Sequence, residues 1–136
     1  MGLDATLARV KFNVKSDLRY EEIRNQKYAE LKYDNEIFEA WEHTVWEEIL
    51  YTSDWEIAHM IDSRNIGSKA VNFSDNRDLI LSKKDVKIII VLMETSREKE
   101  TNLVLKEILD KHISQLRNCL ETTDFKKETL LFGEWS

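Results

Sequence analysis

The 136-residue sequence has no proline, three glycines and one cysteine. Each scarcity excludes something. A lone cysteine allows no internal disulfide and no Cys-based zinc cage. Without proline, and with glycine only at positions 2, 67 and 133, long flexible linkers have little material. A phosphate-cradling loop has equally little, and no P-loop, G-x-G-x-x-G or G-x-S-x-G occurs. No apolar run approaches the about 20 residues that a transmembrane helix needs. The opening of the chain has no apolar h-region, so the expected compartment is the cytoplasm of a producing or host cell. What is present suits a folded domain: 42% hydrophobic and 10% aromatic residues argue against disorder. A chain of this size should bury roughly 65–70% of its unfolded surface, enough for a core. Residues 1–136 are expected to form one domain.

Cations are missing from one region. Between Lys32 and Arg64 there is no Lys or Arg, while Asp34, Glu36, Glu39, Glu42, Glu47, Glu48, Asp54, Glu56 and Asp62 all fall inside it. The net charge of −6 is therefore concentrated in the middle of the chain. Such asymmetry bears on partners and association rather than on fold. Phosphates would be repelled there, so direct nucleic-acid binding is not expected. A basic protein is favoured, for example the active cleft of a nucleic-acid enzyme. The plain alternative is a solvated acidic face that aids solubility.

Residues 7–15 alternate, with Ala8, Val10, Phe12 and Val14 against Arg9, Lys11, Asn13 and Lys15. This predicts a half-buried strand with a basic outer face, at an edge or in a solvated sheet. Residues 18–31 read as a helix capped by Ser16 or Asp17. A stronger helix is predicted from Asp34 or Asn35 to about Tyr51, with Ile37, Phe38, Trp41, Val45 and Ile49 on its core face. Trp46 and Leu50 fall off that stripe, near Glu39, Glu42 and His43. Ser53 to Glu56 reads as a capping box for a short helix to about Arg64, closed by Asn65-Ile66-Gly67. Residues 70–73 and 79–82 are short strand candidates around a turn-rich loop. The β-branched run at 86–93 predicts a central strand. Thr95 to Glu98 reads as a second capping box, opening a long helix to about Leu120. Residues 129–135 read as a last strand interrupted at Gly133. The expected class is α+β: a small, mostly antiparallel sheet with several helices packed on it, including one long C-terminal helix.

Catalytic chemistry finds little support. His43, His59 and His112 form no zinc spacing, and Glu56 with His59 makes only one E-x-x-H where a di-iron bundle needs two. His112 and Cys119 fall on the apolar side of the long helix, where a core histidine and an inert thiol are the simpler readings. Asp75, Arg77 and Asp78 form the polar cluster nearest to strands, and a turn accounts for them. No metal or other cofactor is expected.

The opening MGLDATL resembles that of small phage-encoded proteins that begin MGLDMYL. Members of that group also carry a Cys followed by an aromatic-FG segment, as Cys119 is followed here by LETTDFKKETLLFGEW. The likeness covers Met1–Leu7 and Leu130–Gly133. The group's tryptophan-arginine-lysine helix motif is absent; Phe38-Glu39-Ala40-Trp41 stands near its place. The group has no settled activity, so the resemblance implies a phage or mobile-element origin and no chemistry.

The functional expectation is a non-enzymatic intracellular binding protein of inhibitor or immunity type. Its acidic, aromatic helix pair would cover a basic protein surface through Glu39, Glu42, Trp46, Glu47, Glu48, Leu50, Asp54, Trp55 and Glu56. An off-stripe Trp and Leu ringed by acids have the anatomy of a binding hot spot, an aromatic anchor with a charged rim. If the helix were covered on two sides, both would instead be buried. Two alternatives stand: a small enzyme with carboxylate acid–base chemistry, or a self-associating structural subunit, since the long helix is apolar on more than one side and suits a homodimer. No membrane partner is expected.

Overall fold

The computed structural model describes residues 3–14, 20–62, 72–73 and 78–135. Strand β1 (Asp4–Val10) leads to helices α1 (Tyr20–Glu30) and α2 (Asn35–Val45), strand β2 (Trp46–Thr52) and helix α3 (Trp55–Ile61). Strands β3 (Asn72–Phe73) and β4 (Asp78–Leu81) precede helices α4 (Lys83–Lys99) and α5 (Leu103–Thr122), and strand β5 (Thr129–Trp135) completes the order. The strands form one five-stranded sheet, β2-β1-β5-β4-β3, in which every pairing is antiparallel. The class is α+β, as composition and patterning led us to expect.

The main core lies between one face of the sheet and α3, α4 and α5. Leu7, Leu50, Leu81, Leu130 and Phe132 supply the sheet side; Ile61, Val86, Ile89, Met93 and Leu116 supply the helix side. Cys119 is buried in the same cluster, and burial pushes its thiol pKa up. His112 is also buried and bonds through Nδ1 to Gln115 at 3.0 Å. A smaller cluster on the opposite face joins Val10, Val14 and Leu131, with Phe12, Trp46 and Ile80 packed against them. Arg97 with Asp110, and Glu94 with Arg117, tie α4 to α5 at 2.5 and 2.9 Å.

Several expectations need correction. Strand β1 is not a half-exposed edge. It lies between β2 and β5, ends at Val10, and is buried from Ala5 onward, Arg9 included. The run at 86–93 is not a strand but the first half of α4. Ser82 and Asp85 form a reciprocal capping box there, and Val86, Ile89, Ile90 and Met93 recur at helical spacing on the buried side. The β-branched penalty in a helix is below about 1 kcal/mol per residue, so a cap and a buried stripe override it. Thr95 to Glu98 consequently lies inside α4, and the cap of α5 is Asn102, whose side chain accepts from the amides of Val104 and Leu105.

The helix expected to reach Tyr51 stops at Val45. Only Phe38 of its predicted core face is buried, and Ile37 is 53% exposed. The chain then continues as β2, whose register explains why its period is hard to read. Leu7 pairs with Leu50 and Ala8 with Glu48, so Ile49 is an extra residue, a β-bulge. The bulge shifts the alternation by one position in mid-strand. The cap of α3 is Asp54, not Ser53: its Oδ1 accepts from the amides of Glu56 and Ile57 at 2.9 and 3.1 Å. Helix α3 ends at Ile61 rather than near Arg64. The expected cap at 65–67 and the loop carrying Asp75 and Arg77 lie outside the described residues.

Candidate binding surface around Trp46

The nine candidate residues do not form one surface. Strand β2 separates the two acidic helices that were expected to act as a pair. Trp46 opens β2 and Thr52 closes it; at about 3.3 Å per residue the strand sets roughly 20 Å between its ends. Glu39, Glu42 and Trp46 gather at the first end, with Asp54, Trp55 and Glu56 at the other.

At the first end, Trp46 is half-buried. It leans on the minor core cluster and also lines an open hollow of about 190 Å³ with Glu39, Glu42 and His43. The last turns of α2 deliver the three polar side chains at i and i+3/i+4 spacing. The N-terminal part of the same helix is held by an aromatic cluster: Tyr28 of α1 meets Phe38 edge-on at 5.3 Å, and Phe38 meets Trp41 at 5.8 Å. Arg24 of α1 stacks over Phe38 at 5.7 Å and reaches Glu42 at 3.4 Å. Glu42 is therefore partly answered within the chain, whereas Glu39 pairs with no Lys or Arg among the described residues.

Glu47 has a different fate. It faces the helix layer, where Arg9 stands directly opposite it in register. The guanidinium bonds Glu47 Oε2 through Nη2 at 2.6 Å and through Nε at 3.1 Å. Its Nη1 donates to the hydroxyls of Thr122 and Thr123 at 2.8 and 2.9 Å. Those threonines end α5, so the buried cation also meets the negative end of that helix. Glu128 lies at 3.9 Å from Nε. Arg9 escaped sequence reasoning because it alternates with apolar residues as a solvated strand residue would; the signal was the acid segment itself, which needed a cation from elsewhere in the chain.

Leu50 is 1% exposed and belongs to the main core, so it is not a partner anchor. Glu48 is exposed on the sheet face that carries Trp46. Further along that face the hydroxyl of Tyr51 donates to Asp4, and this bond, followed by desolvation and the charges of Asp4 and Glu48, raises the phenol's pKa. Among the described residues no group of three His, Cys, Asp or Glu is placed to hold a metal ion, and no helix is long and apolar enough to cross a membrane.

With this geometry in place, the chain can be set against known proteins. No family model, curated protein or solved structure matches it. The hollow at Trp46 offers an aromatic surface, two carboxylates and an imidazole, with no Lys or Arg in its lining. Such an arrangement can receive a Lys or Arg side chain, whose stem lies on the indole while its charge meets the carboxylates.

Proposed function

We propose that this chain is a non-enzymatic binding protein of the inhibitor or immunity type that covers a basic surface on a partner protein. The observation that carries the reading is the hollow in which Glu39, Glu42 and His43 surround a half-buried Trp46. The contact set keeps four of the nine residues of the sequence reading, Glu39, Glu42 and Trp46 with Glu48 on the adjoining face, and adds His43. The carboxylates steer association and make it salt-sensitive; Trp46 supplies the apolar anchor. A phage or mobile-element origin, implied by the likeness of the chain ends, fits a host-directed inhibitor, and a basic enzyme acting on nucleic acid is the partner class this would favour.

The test is affinity capture from the host at low and high salt, with the native chain and with the Glu39→Lys/Glu48→Lys variant. The expected result is a basic protein held at low salt by the native chain, released at high salt, and bound at least tenfold more weakly by the variant. Equal retention by both chains, or retention indifferent to salt, would overturn the reading.

A further inference from the structure

A second feature lies at the other end of β2, where α3 meets the tip of the α4–α5 hairpin. Ile57 and Met60 of α3, with Leu105 and Leu109 of α5, line a narrow crevice, and the carboxylates of Asp54, Glu56 and Glu100 complete its walls. At about 30 Å³ it admits little more than a water molecule, so it is no small-molecule pocket. Trp55, between Asp54 and Glu56, is 60% exposed. Leu103 and Val104, just before Leu105, are 74% and 64% exposed, and Ile108 beside Leu109 is 36% exposed. Four large apolar side chains close in sequence to the crevice lining thus stand in water, and that lining holds three acids and no Lys or Arg.

We propose that this end of the molecule is a docking surface for a basic amphipathic helix of a partner protein. Val104 and Ile108 are four residues apart on α5 and form a short ridge, the element that a third helix packs against when it settles on a seam between two others. Trp55 supplies the kind of large, exposed ring that dominates interface energies. An apolar stripe on the incoming helix covers these side chains, as in helix-in-groove recognition. Lys or Arg beside that stripe reaches Asp54, Glu56 and Glu100, and charge complementarity excludes an acidic helix. This proposal does not rest on the Trp46 hollow, which lies at the opposite end of β2.

The experiment titrates the full isotope-labelled chain with a synthetic Leu/Lys peptide of about 18 residues whose leucines follow helical spacing. A scrambled peptide of the same composition and a Leu/Glu counterpart serve as controls. The expected result is saturable shifts of the Trp55 indole N–H and of the amides at 103–108, with the ordered Leu/Lys peptide alone. Trp55→Ala and Val104→Ser/Ile108→Ser each weaken binding about tenfold, the fold being verified by circular dichroism. Glu39→Lys/Glu42→Lys leaves this binding unchanged, which separates failure here from failure at the hollow. Equal binding of the scrambled peptide, shifts centred on Trp46, no saturable binding, or a concentration-dependent dimer abolished by Trp55→Ala would each overturn the proposal.

Discussion

Glu47 and Glu48 are neighbours in β2, yet they belong to different parts of the molecule. Glu47 turns toward the helix layer and is taken up by Arg9, two threonine hydroxyls and the end of α5. Glu48 turns to the other face, beside Trp46, and stays in solvent. The acids of the middle segment are therefore two populations. Some serve the fold, as Glu47 does in its pair with Arg9. Others, such as Glu39 and Glu48, give the fold nothing that the structure records, and they are the ones a partner can use. A count of charges along the chain merges the two; the pleat of one strand divides them.

The contrast can be broken or sharpened by mutation. The largest effect is expected on the inner face of β2, where Leu50→Ala should cost about 3 kcal/mol in urea unfolding through lost burial and a residual cavity. A cost under 1 kcal/mol would mean that β2 does not seal the core. Next comes Arg9→Ala, expected to lower stability by about 2 kcal/mol, because the hydroxyls of Thr122 and Thr123 and the end of α5 lose their donor. Glu47→Gln should cost only about 0.5 kcal/mol, since its side chain is 47% exposed and solvent screens the pair. A larger loss from Glu47→Gln than from Arg9→Ala would reverse the assignment of the cation as the hub. Smallest of all, Glu39→Lys and Glu48→Lys should leave the urea midpoint unchanged while altering partner binding.

A pH experiment probes the same interior. Burial raises the Cys119 pKa above its ordinary value of 9.0. The unfolded chain therefore releases this proton first as pH rises. The contribution is fully present below the ordinary thiol pKa and is lost as pH climbs from there through the raised folded value. Stability should fall more steeply above pH 9 in the native chain than in Cys119→Ala. Parallel curves for the two proteins would show that the thiol is not buried as described.

Much of the fold was legible in the sequence, for identifiable reasons. Helix α5 announces itself through a long stripe from Leu105 to Cys119, and β5 through a short apolar run before Gly133. The pair β3 and β4 is marked by the turn residues between them. Two segments misled for opposite reasons. In α4, consecutive β-branched residues mask a helical stripe that the Ser82 cap sets in register. In β2, the bulge at Ile49 breaks the alternation, so that Trp46 and Leu50 read as one helical face when they lie on opposite sides of a sheet. The site was half legible for the same reason. Glu39, Glu42, His43 and Trp46 do come together, but Leu50 leaves for the core, and Asp54 to Glu56 belong to a separate surface.

The pairing of β1 with β5 has a consequence for how the molecule is made. Two strands more than a hundred residues apart in sequence lie side by side along their whole length, and β5 also holds β4 to the rest of the sheet. Until that segment has left the ribosome, β1 and β4 have no bridge between them, and the helix layer has no finished floor to settle on. Assembly of the sheet therefore waits on β5. A chain truncated before Thr129 should remain open to protease, whereas the chain that includes β5 should resist it.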